Sequence, residues 1–193
     1  MAATRRDHLV DTALQLFSRH GFHATGIDRI LSESGVAKMT LYKHFKSKDD
    51  LILAALRRRD ELHRTWLIQA VETKATAPRD RLVALFAVLA DWFCSDDFAG
   101  CCFINASAEY SAKENPIHQA AAEHKLMIRA YILDQAQAAG AKPAVGLTDQ
   151  IMLLIDGATV AAQVHGGTAP AMQAQLAAEI LIGQALAAGS IAA

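Results

Sequence analysis

A short segment near the N-terminus carries side chains that suit contact with a polyanion. It combines cations, hydroxyl donors, an imidazole and an aromatic ring within one stretch: Lys38, Met39, Thr40, Tyr42, Lys43, His44, Lys46 and Lys48. Ammonium, hydroxyl and imidazole groups of this kind contact phosphates and base edges in a DNA groove. The segment therefore predicts nucleic-acid binding, and the plain alternative is a charged helix face that only meets water.

The other reactive side chains form no recognisable catalytic or metal-binding pattern. The chain has 8 His and 3 Cys, yet it contains no His-x₃-His and no Cys-x₂-Cys pair, so we expect no metal and no cofactor. A cysteine nucleophile with a histidine base is the enzyme alternative, but no oxyanion loop or phosphate-binding glycine run accompanies it. We therefore expect a protein that is not an enzyme.

The composition points to a helical globular protein. Apolar residues make up 52% of the 193 residues and the net charge is −1, which excludes a disordered chain. The abundance of Ala and Leu favours helices. No signal peptide or membrane span is evident, so we expect a cytoplasmic, nucleoid-associated protein with free thiols.

The charge is divided unevenly along the chain. Residues 1–64 contain 12 Lys and Arg against 8 Asp and Glu, whereas residues 65–193 contain 7 against 12. A basic first third on an acidic remainder is typical of a nucleic-acid reader attached to another module.

The helical periodicity predicts about nine helices and no strands. Four are expected in the first part of the chain, with N-caps at Thr4, Thr25 and Ser47 and a turn at Gly35. The later helices are expected over about 79–95, 102–113, 116–139, 148–165 and 170–189, with Thr148 as the cap of the fourth of these. Two short helices around Gly35, following a longer first helix, describe a helix-turn-helix.

Two stretches of this region match a known pattern. Residues 21–30 read GFHATGIDRI and residues 34–51 read SGVAKMTLYKHFKSKDDL. They resemble the signature of the TetR (TetR/AcrR) family of bacterial transcriptional regulators. Residues 100–105, GCCFIN, are similar to a segment of one large subgroup of that family.

The resemblance implies an all-α homodimer that regulates transcription. Residues 1–48 would form the helix-turn-helix domain and residues 49–193 the ligand-binding and dimerisation domain, linked by the helix over 48–73. The implied function is that of a repressor, which binds palindromic operator DNA and is released by a small-molecule effector. A sensor of oxidants or electrophiles that acts through Cys101 or Cys102 is the alternative.

The same resemblance assigns DNA contacts residue by residue. Lys38, Met39, Thr40 and Tyr42 match positions that touch bases or the adjacent backbone. Thr25, Tyr42, His44 and Lys48 match positions that hold phosphates, and Lys43 lies on the same surface. Met39 departs from the polar residues or proline common at its position, and it would contact a thymine methyl or simply pack.

Candidate effector contacts lie in the C-terminal part. Polar residues that interrupt its apolar helix faces are the first candidates, and aromatic, Met and Cys residues of the same helices complete the set: Trp92, Cys102, Asn105, Glu109, Tyr110, His124, Met127, Tyr131 and Asp156. The plain alternative for each is a place in the core.

The last two helices are expected to form the dimer seam. The small and apolar residues assigned to it are Ile151, Leu154, Ile155, Ala158 and Ala162 in the helix over 148–165, and Leu176, Ile180, Gly183 and Ala187 in the helix over 170–189. The alternative is that these residues pack within one chain.

Overall fold

The predicted all-helical architecture is confirmed by the computed structural model, which describes residues 4–191. Within that range the chain forms nine helices and no strand. The helices are α1 (Arg5–His20), α2 (Ile27–Ser34), α3 (Lys38–His44), α4 (Lys48–Lys74), α5 (Pro78–Phe93), α6 (Cys102–Glu109), α7 (Pro116–Ala138), α8 (Ala144–His165) and α9 (Ala169–Ile191).

Local sequence signals account for several helix starts. Thr4 and Asp7 form a reciprocal capping box at α1. The hydroxyl of Ser47 accepts the N–H of Asp50 at 3.1 Å at the start of α4. Asn115 caps α7 by accepting the N–H of Ile117 at 2.8 Å, just ahead of proline in the first helical turn.

Two predicted caps are wrong. The N-cap of α2 is Gly26, because the hydroxyl of Thr25 donates to the carbonyl of Gly21 at 2.7 Å instead of accepting from the helix. α8 begins at Ala144, four residues before Thr148, and the Thr148 hydroxyl donates back to the Ala144 carbonyl at 2.8 Å. Both threonines therefore serve other hydrogen bonds of the fold.

One helix is shorter than predicted. α6 ends at Glu109 rather than near residue 113. Tyr110 leaves the helical conformation, with φ −115° and ψ 73°. The chain then turns toward Asn115, where the next helix starts.

The first compact unit is discontinuous in sequence. It joins the chain up to His63 with Cys101–His124, so it contains α1–α3, the first half of α4, α6 and the start of α7. Its interior is mainly apolar, and Leu9, Ile30, Leu41 and Leu51 are fully buried. The compact units therefore do not divide at residue 48, because α6 packs with the N-terminal helices.

The second unit comprises Arg64–Gly100 and the chain from Lys125 onward. In it α9 packs against α8 and α5 around a core of Leu, Ile, Val and Ala side chains. Two ion pairs tie α7 to α8, with Nζ of Lys125 2.5 Å from Asp156 and Nε of Arg129 2.7 Å from Asp149. The buried alanines of α8 and α9 have small side chains, which let these helices approach closely.

By length and composition alone, α8 is the one helix of the described chain that could cross a membrane. Its buried side packs on α5 and α9, however, and it carries Asp149 and Asp156. α8 has one packed face and one exposed apolar face, which is also typical of a helix at a protein interface.

Candidate nucleic-acid interface

The turn between α2 and α3 fixes where α3 lies on the first unit. Gly35 ends α2 in the left-handed conformation, with φ +64°, which glycine adopts without steric cost. Two apolar side chains then anchor α3, since Leu41 is fully buried and Phe45 nearly so. The opposite face of α3 is left toward solvent.

The exposed face of α3 carries the residues predicted to contact DNA. Met39 is 87% exposed and Tyr42 is 50% exposed, an unusual degree of exposure for large apolar and aromatic side chains. Lys38, Lys43 and His44 are also exposed, and Thr40 is half-buried. Because α3 contains no carboxylate, the whole face is neutral or basic.

The structure places the two other predicted phosphate contacts differently. Thr25 is fully buried and its hydroxyl is bonded to the carbonyl of Gly21, so its side chain does not reach the surface. Lys48 is half-buried, and its ammonium donates to the carbonyl of His23 at 3.2 Å. Lys48 lies at the start of α4, whereas Thr25 could contact a phosphate only through its backbone.

Two predicted effector contacts, Glu109 and Tyr110, instead meet the loop between α1 and α2. The Glu109 carboxylate accepts the N–H groups of Phe22 and His23 at 2.9 and 2.6 Å. The Tyr110 ring stacks on His23 with centroids 4.7 Å apart. Burial, reinforced by the charges of Asp49 and Glu109, raises the pKa of Tyr110 to about 12.

His124 lies in a buried polar cluster of the first unit. Its side chain is 3% exposed, and Nδ1 lies 2.7 Å from a carboxylate oxygen of Asp60. The imidazole stacks on Phe103 with centroids 3.6 Å apart, and His63 meets it edge-on at 5.7 Å. Sequence reasoning missed Asp60 and His63, because only their facing position on α4 relates them to His124.

The two thiols of the sensor alternative are buried. Cys101 and Cys102 are 8% and 5% exposed, whereas Cys94 is exposed. Burial, followed by the neighbouring Cys101, raises the pKa of Cys102 to about 12. The thiolate is the reactive form, so Cys102 lacks the exposed, low-pKa character of a redox sensor. Asn105, one turn along α6, is half-buried.

The remaining effector candidates lie in the second unit. Trp92 is half-buried and packs edge-on against Phe98 with centroids 5.0 Å apart, while Met127 is 43% exposed. Asp156 is paired with Lys125. The hydroxyl of Tyr131 is buried with no hydrogen-bond partner among the described residues, and burial raises the pKa of this phenol.

A surface cavity of about 230 Å³ lies at the start of α8 beside α9. Lys142, Gln150 and Gln184 supply its polar groups. It includes none of the predicted effector residues. The part of the chain that the structure describes holds no cluster of three or more His, Cys, Asp or Glu side chains that could bind a metal ion.

α8 and α9 present an apolar stripe to solvent. Its large members are exposed: Leu153, Val160 and Val164 on α8, and Met172, Leu176 and Ile180 on α9. The predicted seam residues of α9 lie on this stripe. Those of α8 do not, since Ile151, Ile155, Ala158 and Ala162 are buried within the chain and Leu154 is half-buried, so for α8 the alternative of packing within one chain applies.

Comparison with known proteins assigns both parts of the chain. Residues 9–55 match the family model described as bacterial regulatory proteins, tetR family. Residues 78–178 match the model described as tetracyclin repressor-like, C-terminal domain. The two matches are consecutive and together span most of the sequence.

A solved structure agrees over nearly the full chain. SCO4454, a TetR-family transcriptional regulator of Streptomyces coelicolor, superposes with a TM-score of 0.87 and is 30% identical, covering 94% of this chain and 96% of its own. The regulator LmrA of Bacillus subtilis is 31% identical over 120 residues, which are 61% of this chain and 63% of LmrA. The repressor NemR of Escherichia coli is 30% identical over 105 residues, 54% of this chain and 53% of NemR. The chain thus spans less than two thirds of these two curated relatives.

Proposed function

We propose, from the premise that this chain belongs to the TetR family of bacterial regulatory proteins, that it is a repressor controlled by a small-molecule effector. It is a DNA-binding transcriptional regulator with a helix-turn-helix. We propose further that it contacts operator DNA as a homodimer, responds to an effector, and acts in the cytoplasm beside the nucleoid.

The exposed basic face of α3 is the observation that carries DNA binding. α3 is anchored by Leu41 and by Phe45 just after its end, while the large side chains of Met39 and Tyr42 are exposed to water. In a major groove these side chains would meet base edges and methyl groups, and Lys38 and Lys43 would meet phosphates. Lys48 and Tyr42 would extend the phosphate contacts.

The apolar stripe of α8 and α9 supports a homodimer. Leu153 on α8 and Ile180 on α9 are 74% and 64% exposed. Two copies of the stripe would bury each other in a four-helix seam, which is the isologous contact of a two-fold dimer. A two-fold dimer reads a palindrome, with half-sites about 34–36 Å apart, one helical turn.

Tyr131 is the strongest of the predicted effector contacts in the second unit. A buried hydroxyl that lacks a partner is costly, and a polar atom of an effector would satisfy it. Trp92, Met127 and Asp156 are the other candidates there. An effector that prefers the conformation with low operator affinity would shift the population and release the DNA.

Selection from a pool of random-sequence duplexes tests this function directly. The purified protein should enrich an inverted repeat whose half-site centres lie about 10 base pairs apart. Tyr42→Ala should abolish the enrichment while leaving the helical circular dichroism unchanged. Recovery of no common sequence by the unmodified protein would overturn the proposed function.

A further inference from the structure

The loop between α1 and α2 is held by the last residue of α6. Both oxygens of the Glu109 carboxylate are used, one by the N–H of Phe22 and the other by the N–H of His23. The imidazole Nε2 of His23 also lies 3.0 Å from the Glu109 carbonyl oxygen, to which it can donate. One residue thus binds the loop at three atoms.

The surroundings of the carboxylate leave little room for change. Gly21 has φ +83°, and a Cβ added there would lie 3.0 Å from a Glu109 carboxylate oxygen. The Tyr110 ring covers the same loop, stacked on His23 and edge-on to Phe22. The glycine therefore permits both the backbone conformation and the close approach of the carboxylate.

We infer that Glu109 is a positioning residue for DNA binding. The inference rests on the proposed DNA-binding function and names a residue, outside the helix-turn-helix sequence, on which that function depends. Residues 21–26 lead directly into α2, so a loop fixed by Glu109 fixes the start of α2 and, through the turn at Gly35, the orientation of α3. Hydrogen bonds to an ionised carboxylate are the stronger kind, and they suit this role.

Specific and non-specific binding should depend on Glu109 to different degrees. Base contacts require α3 to be held close to its productive orientation, whereas attraction to phosphates tolerates looser placement. A weakened loop should therefore lower affinity for the selected duplex more than affinity for random DNA. Replacing a residue that only stabilised the fold would lower the affinity for both kinds of DNA to the same degree.

Glu109→Gln is the informative variant, because it keeps the side-chain size and one acceptor oxygen but sets an NH₂ group against a backbone N–H. We expect its Kd for the duplex recovered by selection to rise about tenfold, which corresponds to about 1.4 kcal/mol. Its Kd for a random duplex of equal length should stay unchanged. Both are measured well below the unfolding temperature of each variant.

Glu114→Gln is the matched control, since it removes the same charge from an exposed position five residues further along. It should leave both Kd values unchanged. His23→Ala, which removes the third contact from an exposed residue, should raise the selected-duplex Kd by about threefold, or about 0.7 kcal/mol. This second variant keeps the inference testable if Glu109→Gln fails to fold.

Amide NMR shifts supply a direct readout of the contact. The amide protons of Phe22 and His23 should move upfield in Glu109→Gln and stay in place in Glu114→Gln. Unchanged specific affinity in Glu109→Gln, or equal losses on both duplexes, would overturn the inference. If the unmodified protein enriches no sequence, the proposed function itself fails and the inference fails with it.

Discussion

Nδ1 of His124 lies 2.7 Å from a carboxylate oxygen of Asp60, so α4 and α7 are joined inside the first unit by a polar contact. His124 is 3% exposed and the Asp60 side chain is 17% exposed. Replacing Asp60 by Ala would leave a buried imidazole nitrogen without this partner. The free energy of unfolding should fall by about 1–3 kcal/mol.

Urea denaturation measures this loss. Asp134→Ala is the control, because Asp134 is an exposed carboxylate on α7, and it should change stability by less than about 0.5 kcal/mol. Equal stability of the two variants would contradict the structural role of the Asp60–His124 contact.

Lys43 should contribute to operator binding through a phosphate. Its neutralisation in Lys43→Ala should weaken binding to selected and random duplexes alike and reduce the slope of log K against log salt by about 1. Lys113, exposed in the segment after α6, provides a control with the same loss of charge. A salt slope unchanged in Lys43→Ala would remove Lys43 from the interface.

Met39 should read a thymine methyl group in the operator. The Met39 side chain is 87% exposed, so little of it packs within its own chain and most of it is available to contact a partner molecule. Replacing single thymines of the selected duplex by uracil removes one methyl at a time. At one position of each half-site, uracil should weaken binding of the unmodified protein by about threefold or more.

The same uracil substitutions should have no effect on Met39→Ala. If the loss at that position persists in the variant, another side chain contacts the methyl group.

The stripe on α8 and α9 should hold the dimer together. Leu176→Glu places a charge at its centre, where it would be buried against the partner, and analytical ultracentrifugation should then show monomers. Leu126→Glu changes an equally exposed leucine on α7, 63% exposed against 56% for Leu176, and should leave the dimer intact. If both variants remain dimeric, the dimer interface does not include the stripe on α8 and α9.

The thiols should differ in reactivity according to burial. The pKa of Cys102 is raised from its usual value of 9.0 to about 12. Between pH 9 and 12 the thiol is therefore protonated in the folded protein but ionised in the unfolded chain. Stability linked to this group is therefore complete below pH 9 and falls as the pH rises toward 12.

Iodoacetamide at pH 8, followed by mass spectrometry, should modify Cys94 in the folded protein and all three cysteines in urea. Rapid modification of Cys102 in the folded protein would restore the sensor alternative.

The sequence was sufficient for the helix-turn-helix because its signals are local. A capping box lies within four residues at Thr4, a glycine marks the turn at Gly35, and the spacing of Leu41 and Phe45 defines the buried side of α3. Each of these depends on neighbouring residues only. The exposed face of α3 followed from the same spacing.

Contacts between distant segments could not be predicted. Glu109 meets Phe22 across 87 residues and Asp60 meets His124 across 64, and neither pair has a periodic pattern to relate it. The face of α8 was also ambiguous, because apolar residues lie on both sides of that helix. Only its packing on α5 and α9 decides which side is buried.

The discontinuity of the first unit has a consequence for biosynthesis. Residues 101–124 belong to the same compact unit as the N-terminal helices, so the native contacts of the DNA-binding segment are incomplete until His124 has left the ribosome. Contacts across such long stretches of chain also form slowly, since a large loop must close first. A nascent chain that presents α3 before α6 has emerged would carry the reading helix without its support, and it would discriminate its operator from other DNA less well until the unit is complete.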